Sequence, residues 1–249
     1  MTRRGFNSMS SWFGRGLLAA LFVCSAPVFA MDSLADVLIQ AAPAANPDVL
    51  RAAAAAAKCA IETGHAPATR LGVIDYSLPS TQPRLWVFDL NSGTLLYQEL
   101  VAHGRNSGDN LATAFSNEAS SLQSSLGLYE TLDTYAGDNG YSLRMQGLEP
   151  GVNDHAYDRA IVMHGAPYVS QSFIKKVGRI GRSWGCPAVR PEIAHSLIDT
   201  LKGGQYVFAY YPDPGWLAKS AYLHCADKSQ PEPQPYLVDV EMWLAAAGP

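Results

Sequence analysis

The chain of 249 residues is short of three things, and each shortage removes a class of function. It has no basic excess: 18 Lys and Arg stand against 22 Asp and Glu, a net charge of -4. Nucleic-acid binders carry a basic stripe, and none is visible here. The runs of like charge are too short to be interaction tails. Its six histidines are scattered and form no HExxH pair, and no two of its four cysteines have zinc-ligand spacing. Metal-dependent hydrolysis therefore finds little support. The one apolar run near the start, with its core at residues 17–23, is too short for the ~20 residues of a spanning helix. No internal repeat is present.

That apolar run reads instead as part of a targeting segment. Arg3 and Arg4 make a positive start, and Val28-Phe29-Ala30 offers a small-residue ending. The pattern predicts a signal peptide over residues 1–30, cleaved after Ala30, and an exported protein of the periplasm or cell envelope. The competing reading is a retained anchor. Thr2-Arg3-Arg4-Gly5-Phe6 resembles a twin-arginine signal, interrupted by Arg15. Cys24 suggests a lipoprotein, but Phe22 and Val23 are bulky where such signals carry small residues. After cleavage Cys59, Cys186 and Cys225 remain, and an odd count leaves one thiol free or shared between chains.

Beyond the signal, residues 31–66 read as a helical extension. Leu34, Val37 and Leu38 share one helical face. Asn46-Pro47 is a cap and first-turn pair ahead of an alanine-rich run, which Gly64 ends. From residue 71 the texture changes to strands. Residues 84–90 and 94–102, joined by Asn91-Ser92-Gly93, read as a hairpin. Further strands are expected at 71–77, 125–132, 141–148, 160–164 and 205–211, with a helix at 191–201 and a polar loop at 104–117. The expected fold is mainly β and mostly antiparallel, in a domain over 70–215. A tail at 216–249 holds a proline-rich linker at 230–235.

One stretch stands out, GRSWGCPAV at residues 181–189, about twenty residues after Met163-His164-Gly165. It sets Cys186 in a tight turn and His164 on an expected strand. An imidazole that takes the thiol proton leaves a nucleophilic thiolate. Gly185, just before the cysteine, lets backbone N–H groups approach a substrate. Taken alone, each residue has a plainer reading: free cysteines are commonly buried and inert, and a strand histidine is commonly a satisfied core group.

The grammar around both residues resembles the murein L,D-transpeptidase catalytic-domain family, the YkuD-like enzymes, and especially its divergent branch. That family carries His-Gly, a spacer, then Ser/Thr-His-Gly-Cys. Here His164-Gly165 is followed, after a slightly longer spacer, by Ser183-Trp184-Gly185-Cys186. Ser125-Leu126-Gly127-Leu128-Tyr129 stands where the family has a turn leading into a strand. HGRNSG at 103–108, FSN at 115–117, SLRMQGLEPGVN at 142–153 and RAIVMHGAPYV at 159–169 extend the likeness over about 100–211. Trp184 replaces the family's histidine. Pro187-Ala188-Val189-Arg190 follows the cysteine where the main branch has Ile-Arg or Ile-Asn.

The resemblance implies an antiparallel β-sandwich or barrel with a helix after the catalytic cysteine, and no metal or cofactor. It implies that Cys186 attacks a tetrapeptide stem of peptidoglycan, expels terminal D-Ala and passes the acyl group to a diaminopimelate amine. His164 is the implied base and the Gly165 carbonyl its orienting partner, with Ser183 near the thiol. Backbone N–H groups of Gly185, Cys186 and Trp184 are the implied oxyanion hole. Arg190, Arg182 and Tyr129 are candidate substrate contacts, with Arg105 and Arg159 as further partners for stem carboxylates. His103 and His155 are reserve bases, and Asn117 and Asn153 loop stabilisers. The partners implied are stem peptides, with no nucleic acid and no membrane span once the signal is gone. Two other readings stay open: an L,D-carboxypeptidase that uses water as acceptor, and a non-catalytic wall-binding module with a bridged Cys186. A sortase-like reading lacks its Thr-Leu-x-Thr-Cys strand. If Cys186 is the working thiol, an oxidising compartment leaves Cys59 and Cys225 to pair.

Overall fold

A helix needs its first N–H groups satisfied, and two side chains do this at the start of the described region, residues 33–225 of a computed structural model. Ser33 and Asp36 form a capping box at α1 (Leu34–Ala41). Asn46 caps α2 (Pro47–Glu62), with Pro47 at its first turn. The expected signal peptide and the proline-rich linker lie outside the described residues. Among the described residues no helix is long and apolar enough to cross a membrane.

The strands form one eight-stranded sheet, nearly closed into a barrel. They are β1 (Arg70–Asp75), β2 (Leu85–Asp89), β3 (Thr94–Glu99), β4 (Gly127–Gly137), β5 (Gly140–Gly147), β6 (Val162–Gly165), β7 (Ala188–Val189) and β8 (Tyr206–Tyr210). Their order is β3-β2-β1-β8-β4-β5-β6-β7. Near-closure comes from the chain just after β3, where Ala102 bridges to Ala188 of β7 and Gly104 to Ser183. The hairpin strand expected to run to residue 102 thus ends at Glu99, and its continuation crosses to the opposite edge.

The sheet is mostly antiparallel, as expected, but two pairs are parallel: β1 with β8, and β6 with β7. A parallel neighbour needs a crossover, usually a helix. The β6–β7 crossover carries α3 (Gln171–Val177), which the sequence reading missed, and the expected helix α4 (Pro191–Leu201) leads into β8. A short α5 (Pro214–Leu217) was also missed. Strand β1 lies between β2 and β8 and is buried on both faces, which explains its near-continuous apolar run. Strand β3 alternates half-buried and exposed residues, as an edge does.

A large core joins most of these elements, and a smaller cluster around Ala102, Val169, Ile180 and Ala188 packs Ile174 of α3. Leu50, Ala53 and Ala57 of α2 join Leu71, Val73, Phe88, Leu128, Phe208 and Leu201 in a single buried cluster. The alanine-rich face lets α2 lie close against β1, β4 and β8. Cys59 of α2 is disulfide-bonded to Cys225, with Cα atoms 5.3 Å apart, and Cys186 is free among the described residues. The pairing expected from the oxidising compartment is therefore present.

Candidate active site

The parallel register of β6 and β7 brings the two sequence signals together. His164 lies opposite Ala188, so Cys186, two residues earlier, sits beside the start of β6. The Val162 N–H donates to Cys186 Sγ at 3.4 Å.

The turn before β7 is held from both sides. The Ser183 N–H donates to the His103 carbonyl at 3.0 Å, and the Arg105 N–H donates to the Ser183 carbonyl at 2.8 Å. Ser183 Oγ donates to the Cys186 carbonyl at 2.6 Å and accepts the Gly185 N–H at 3.1 Å. Gly185 has φ +131°, and a Cβ there would lie 2.8 Å from the Gln123 carbonyl oxygen. Only glycine fits that backbone and that approach. This arrangement corrects one expectation: the Gly185 N–H is engaged by Ser183 and is not free for an oxyanion. The Trp184 and Cys186 N–H groups have no hydrogen-bond partner among the described residues. Ser183 itself acts on the turn, not on the thiol.

The thiol is buried, and Sγ donates to the Ala160 carbonyl at 3.6 Å. Ala160 holds the left-handed conformation with φ 53°, a strained choice for a residue with a side chain. Burial pushes the Cys186 pKa up, opposed by the Val162 N–H and the charge of Arg159. His164 is also buried, and burial pushes its pKa down against the bond to Gly165. Its Nδ1 lies 3.0 Å from the Gly165 carbonyl. A carbonyl only accepts, so Nδ1 carries the proton and Nε2 is left as a basic lone pair. Thiol and imidazole line one cavity of about 360 Å³. No hydrogen bond joins them at rest. Gly165 is needed for a second reason: a Cβ there would lie 2.8 Å from Ala194 Cβ of α4.

The other candidates divide sharply. Arg182 and Trp184 line the cavity, and Trp184 is 75% exposed at its mouth. Arg159 lines it too, but its guanidinium is spent on Ser116, Ser121, Ser125 and Gln123 of the 116–125 loop. Tyr129 is a core residue whose hydroxyl donates to the Ser125 carbonyl at 2.9 Å. Arg190 makes a two-pronged bond to Glu99, at 2.8 and 2.7 Å, that ties the start of α4 to β3. Neither lines the cavity, so both expectations of substrate contact are corrected. His103 is buried against Arg84, and His155 is exposed and does not line the cavity. Asn117 and Asn153 stabilise loops, bonding Asp154 and the Leu126 and Leu128 carbonyls respectively.

Sequence reasoning missed Tyr168, Tyr135, Asn139 and Ala160, all of which line the cavity. Tyr168 follows His164 by four residues, and that closeness was the only available signal. Tyr135 and Asn139 come from the β4–β5 hairpin, far from both motifs in sequence. Among the described residues no group of three His, Cys, Asp or Glu side chains is arranged to hold a metal ion.

Comparison with known proteins adds a family. The sequence model of the L,D-transpeptidase catalytic domain matches residues 41–210. Similar solved structures include an L,D-transpeptidase from Mycobacterium smegmatis, 15% identical over 58% of this chain and 59% of that one, with a TM-score of 0.36. Another is L,D-transpeptidase 3 from Mycobacterium tuberculosis, 13% identical over 57% and 61%, TM-score 0.37. A third is an L,D-transpeptidase from Stackebrandtia nassauensis, 17% identical over 68% and 67%, TM-score 0.34. The match thus spans 59% of the length of the first of these. No curated protein matches the chain.

Proposed function

The chain belongs to the L,D-transpeptidase catalytic-domain family, and from that membership we propose that it is an exported cysteine transpeptidase of peptidoglycan stem peptides. In this proposal residues 1–30 are removed on export, 31–66 are a helical extension, 70–215 carry the chemistry and 216–249 form a tail. The observation that carries the reading is the 3.0 Å contact of His164 Nδ1 with the Gly165 carbonyl. A carbonyl only accepts, so the proton is assigned to Nδ1 and Nε2 is the free base in a cavity that the buried Cys186 thiol also lines.

The steps follow from that arrangement. His164 Nε2 takes the thiol proton, which breaks the bond from Sγ to the Ala160 carbonyl. The Val162 N–H stays on the sulfur as a donor to the thiolate. The sulfur attacks the stem carbonyl before terminal D-Ala; a C–S bond forms and the carbonyl oxygen becomes an oxyanion. The unspent N–H groups of Cys186 and Trp184 are the donors suited to it, and losing one such donor costs about 3 kcal/mol. Collapse breaks the C–N bond, and His164 gives its proton to the departing D-Ala amine. A diaminopimelate amine of a second stem then attacks the thioester, loses a proton to His164 and releases the thiolate as a new amide forms.

The test is incubation of the protein lacking residues 1–30 with a disaccharide tetrapeptide, followed by mass analysis. A crosslinked dimer, loss of D-Ala and an acyl adduct on Cys186 are expected. Tripeptide without dimer means that water is the acceptor. No adduct and no product refutes the enzymatic reading. A wall-binding module was expected to have Cys186 bridged, whereas the bridge lies between Cys59 and Cys225.

A further inference from the structure

Beside the catalytic cavity lies a second one of about 380 Å³, lined by Arg105, Tyr168, Phe173, Arg179, Arg182 and Trp184. Tyr168, Arg182 and Trp184 line both, so the two are adjacent and share these side chains as walls. Three guanidinium groups and no carboxylate face the annex. Asp109 is the acid close to them, 2.8 Å from Arg182 and 3.7 Å from Arg179, and it is mostly exposed. Lys175 and Lys176 in the last turn of α3 add charge of the same sign.

The three arginines are not equivalent. Arg182 spends Nη1 on the Arg105 and Gly108 carbonyls and on Asp109, so it braces the 105–109 loop. Arg179 uses Nη1 on the Ile180 carbonyl. The Arg105 side chain is exposed and makes no hydrogen bond or ion pair among the described residues. Trp184 adds a second oddity, since a tryptophan three-quarters exposed lines both cavities. A flat aromatic surface beside one unengaged guanidinium, Arg105, and two partly engaged ones, Arg179 and Arg182, suits a peptide that brings its own carboxylates.

We propose that this annex is a carboxylate subsite which selects stem peptides by their negative charge, with Arg105 and Arg179 as its specificity-determining contacts. The inference rests on the transpeptidase reading and deepens it. A tetrapeptide stem offers two internal carboxylates of the same chemistry, on its glutamyl and its diaminopimelate residues. Paired to a guanidinium, either accepts two charge-assisted hydrogen bonds, where a neutral carboxamide, with one acceptor oxygen, accepts one.

Three synthetic stems separate the sources: one with both carboxylates free, one amidated at the glutamyl residue and one at diaminopimelate. The wild-type enzyme is expected to favour the free acid over one of the amides by about tenfold in kcat/KM, or 1.4 kcal/mol. The difference should lie mostly in KM and shrink as salt is raised. Arg105→Gln and Arg179→Gln should each draw the acid-to-amide ratio toward one, and Arg105→Lys should restore part of it. Arg105 has no partner in the fold to lose, so its variant reads the subsite and not folding. Calorimetric binding of the same stems to Cys186→Ala protein reads the subsite without turnover. Preference in binding with no turnover in the wild type would sink the catalytic reading and keep the subsite. Equal kcat/KM on all three stems would overturn the subsite and keep the catalytic reading. Failure of the Cys186→Ala protein to discriminate among the stems would overturn the subsite as well.

Discussion

Acid should weaken this fold through one buried histidine that takes no part in the chemistry. His103 is 1% exposed. Its Nδ1 lies 2.7 Å from Arg84 Nη2, and a guanidinium only donates, so Nδ1 is the bare nitrogen. Nε2 then carries the proton and faces the Gly108 carbonyl at 3.4 Å. Burial first, and the Arg84 charge second, hold the His103 pKa down to about 4. In the unfolded chain the same group titrates near 6.5. Between those values the unfolded chain binds a proton that the folded chain refuses. The stability His103 contributes is therefore complete above pH 6.5 and drains away as the pH falls toward 4. At about 1.4 kcal/mol per pH unit, the whole interval amounts to about 3 kcal/mol.

The assay is urea unfolding at pH 7 and pH 4 of the wild type and of His103→Gln. Glutamine offers an acceptor for Arg84 and a donor for Gly108 but does not titrate. The wild type should lose about 3 kcal/mol more than the variant over that interval. Equal losses would refute the reasoning, whatever the variant's stability at pH 7. The consequence reaches the site, because the His103 carbonyl accepts the Ser183 N–H that anchors the cysteine turn.

Cys186→Ala and His164→Ala should each abolish acyl-enzyme formation on a tetrapeptide donor, and a normal rate of crosslinking by either would remove that residue from the mechanism. Burial lowers the His164 pKa from 6.5 and raises that of Cys186 from 9.0, so the neutral pair is the resting form. The pH profile of kcat/KM should have its acid limb below 6.5 and its basic limb above 9.0, and limbs inside that window would contradict the burial shifts. The Cys59–Cys225 bridge spans a sequence separation of 166, for which the chain-entropy relation gives about 5 kcal/mol. Cys59→Ala with Cys225→Ala should lower the urea midpoint accordingly, while alkylation of the native protein labels Cys186 alone; an unchanged midpoint would contradict the entropic account. Gly185→Ala forces a side chain into φ +131° and against Gln123. It should cost about 1–3 kcal/mol of stability and most of the activity, and a fully active, stable variant would show that the turn is not held as described.

Much of the molecule was legible in the sequence, and the reasons are local. The cap and first-turn pair Asn46-Pro47 before α2, the glycine after it and the turn at residues 91–93 act over a few residues. The pairing of His164 with Cys186 was legible because each sits in a short, distinctive run whose backbone demands are visible as glycines. The Cys59–Cys225 bridge followed from counting, once Cys186 was reserved for chemistry.

What the tertiary structure decided alone was how distant side chains spend their charges and hydrogen bonds. Arg190 looked free for a substrate because Glu99 lies 91 residues away in sequence, and only the placement of α4 beside β3 shows the carboxylate that takes it. Tyr129 looked like a cleft residue because the turn before it resembles a cleft motif, yet its strand buries that position. Gly185 lost its oxyanion role to Ser183, two residues away, because the turn folds the hydroxyl back onto its N–H. Arg105 and Arg182 stood among the expected carboxylate partners, but their meeting with Arg179 in one annex was not legible. Arg105 and Arg179 lie on separate loops, brought to one cavity by the chain that crosses from β3 to the far edge of the sheet and by the α3 crossover. Local pattern reports what a segment prefers; the net charge and free hydrogen bonds of a cleft depend on which partners the fold delivers.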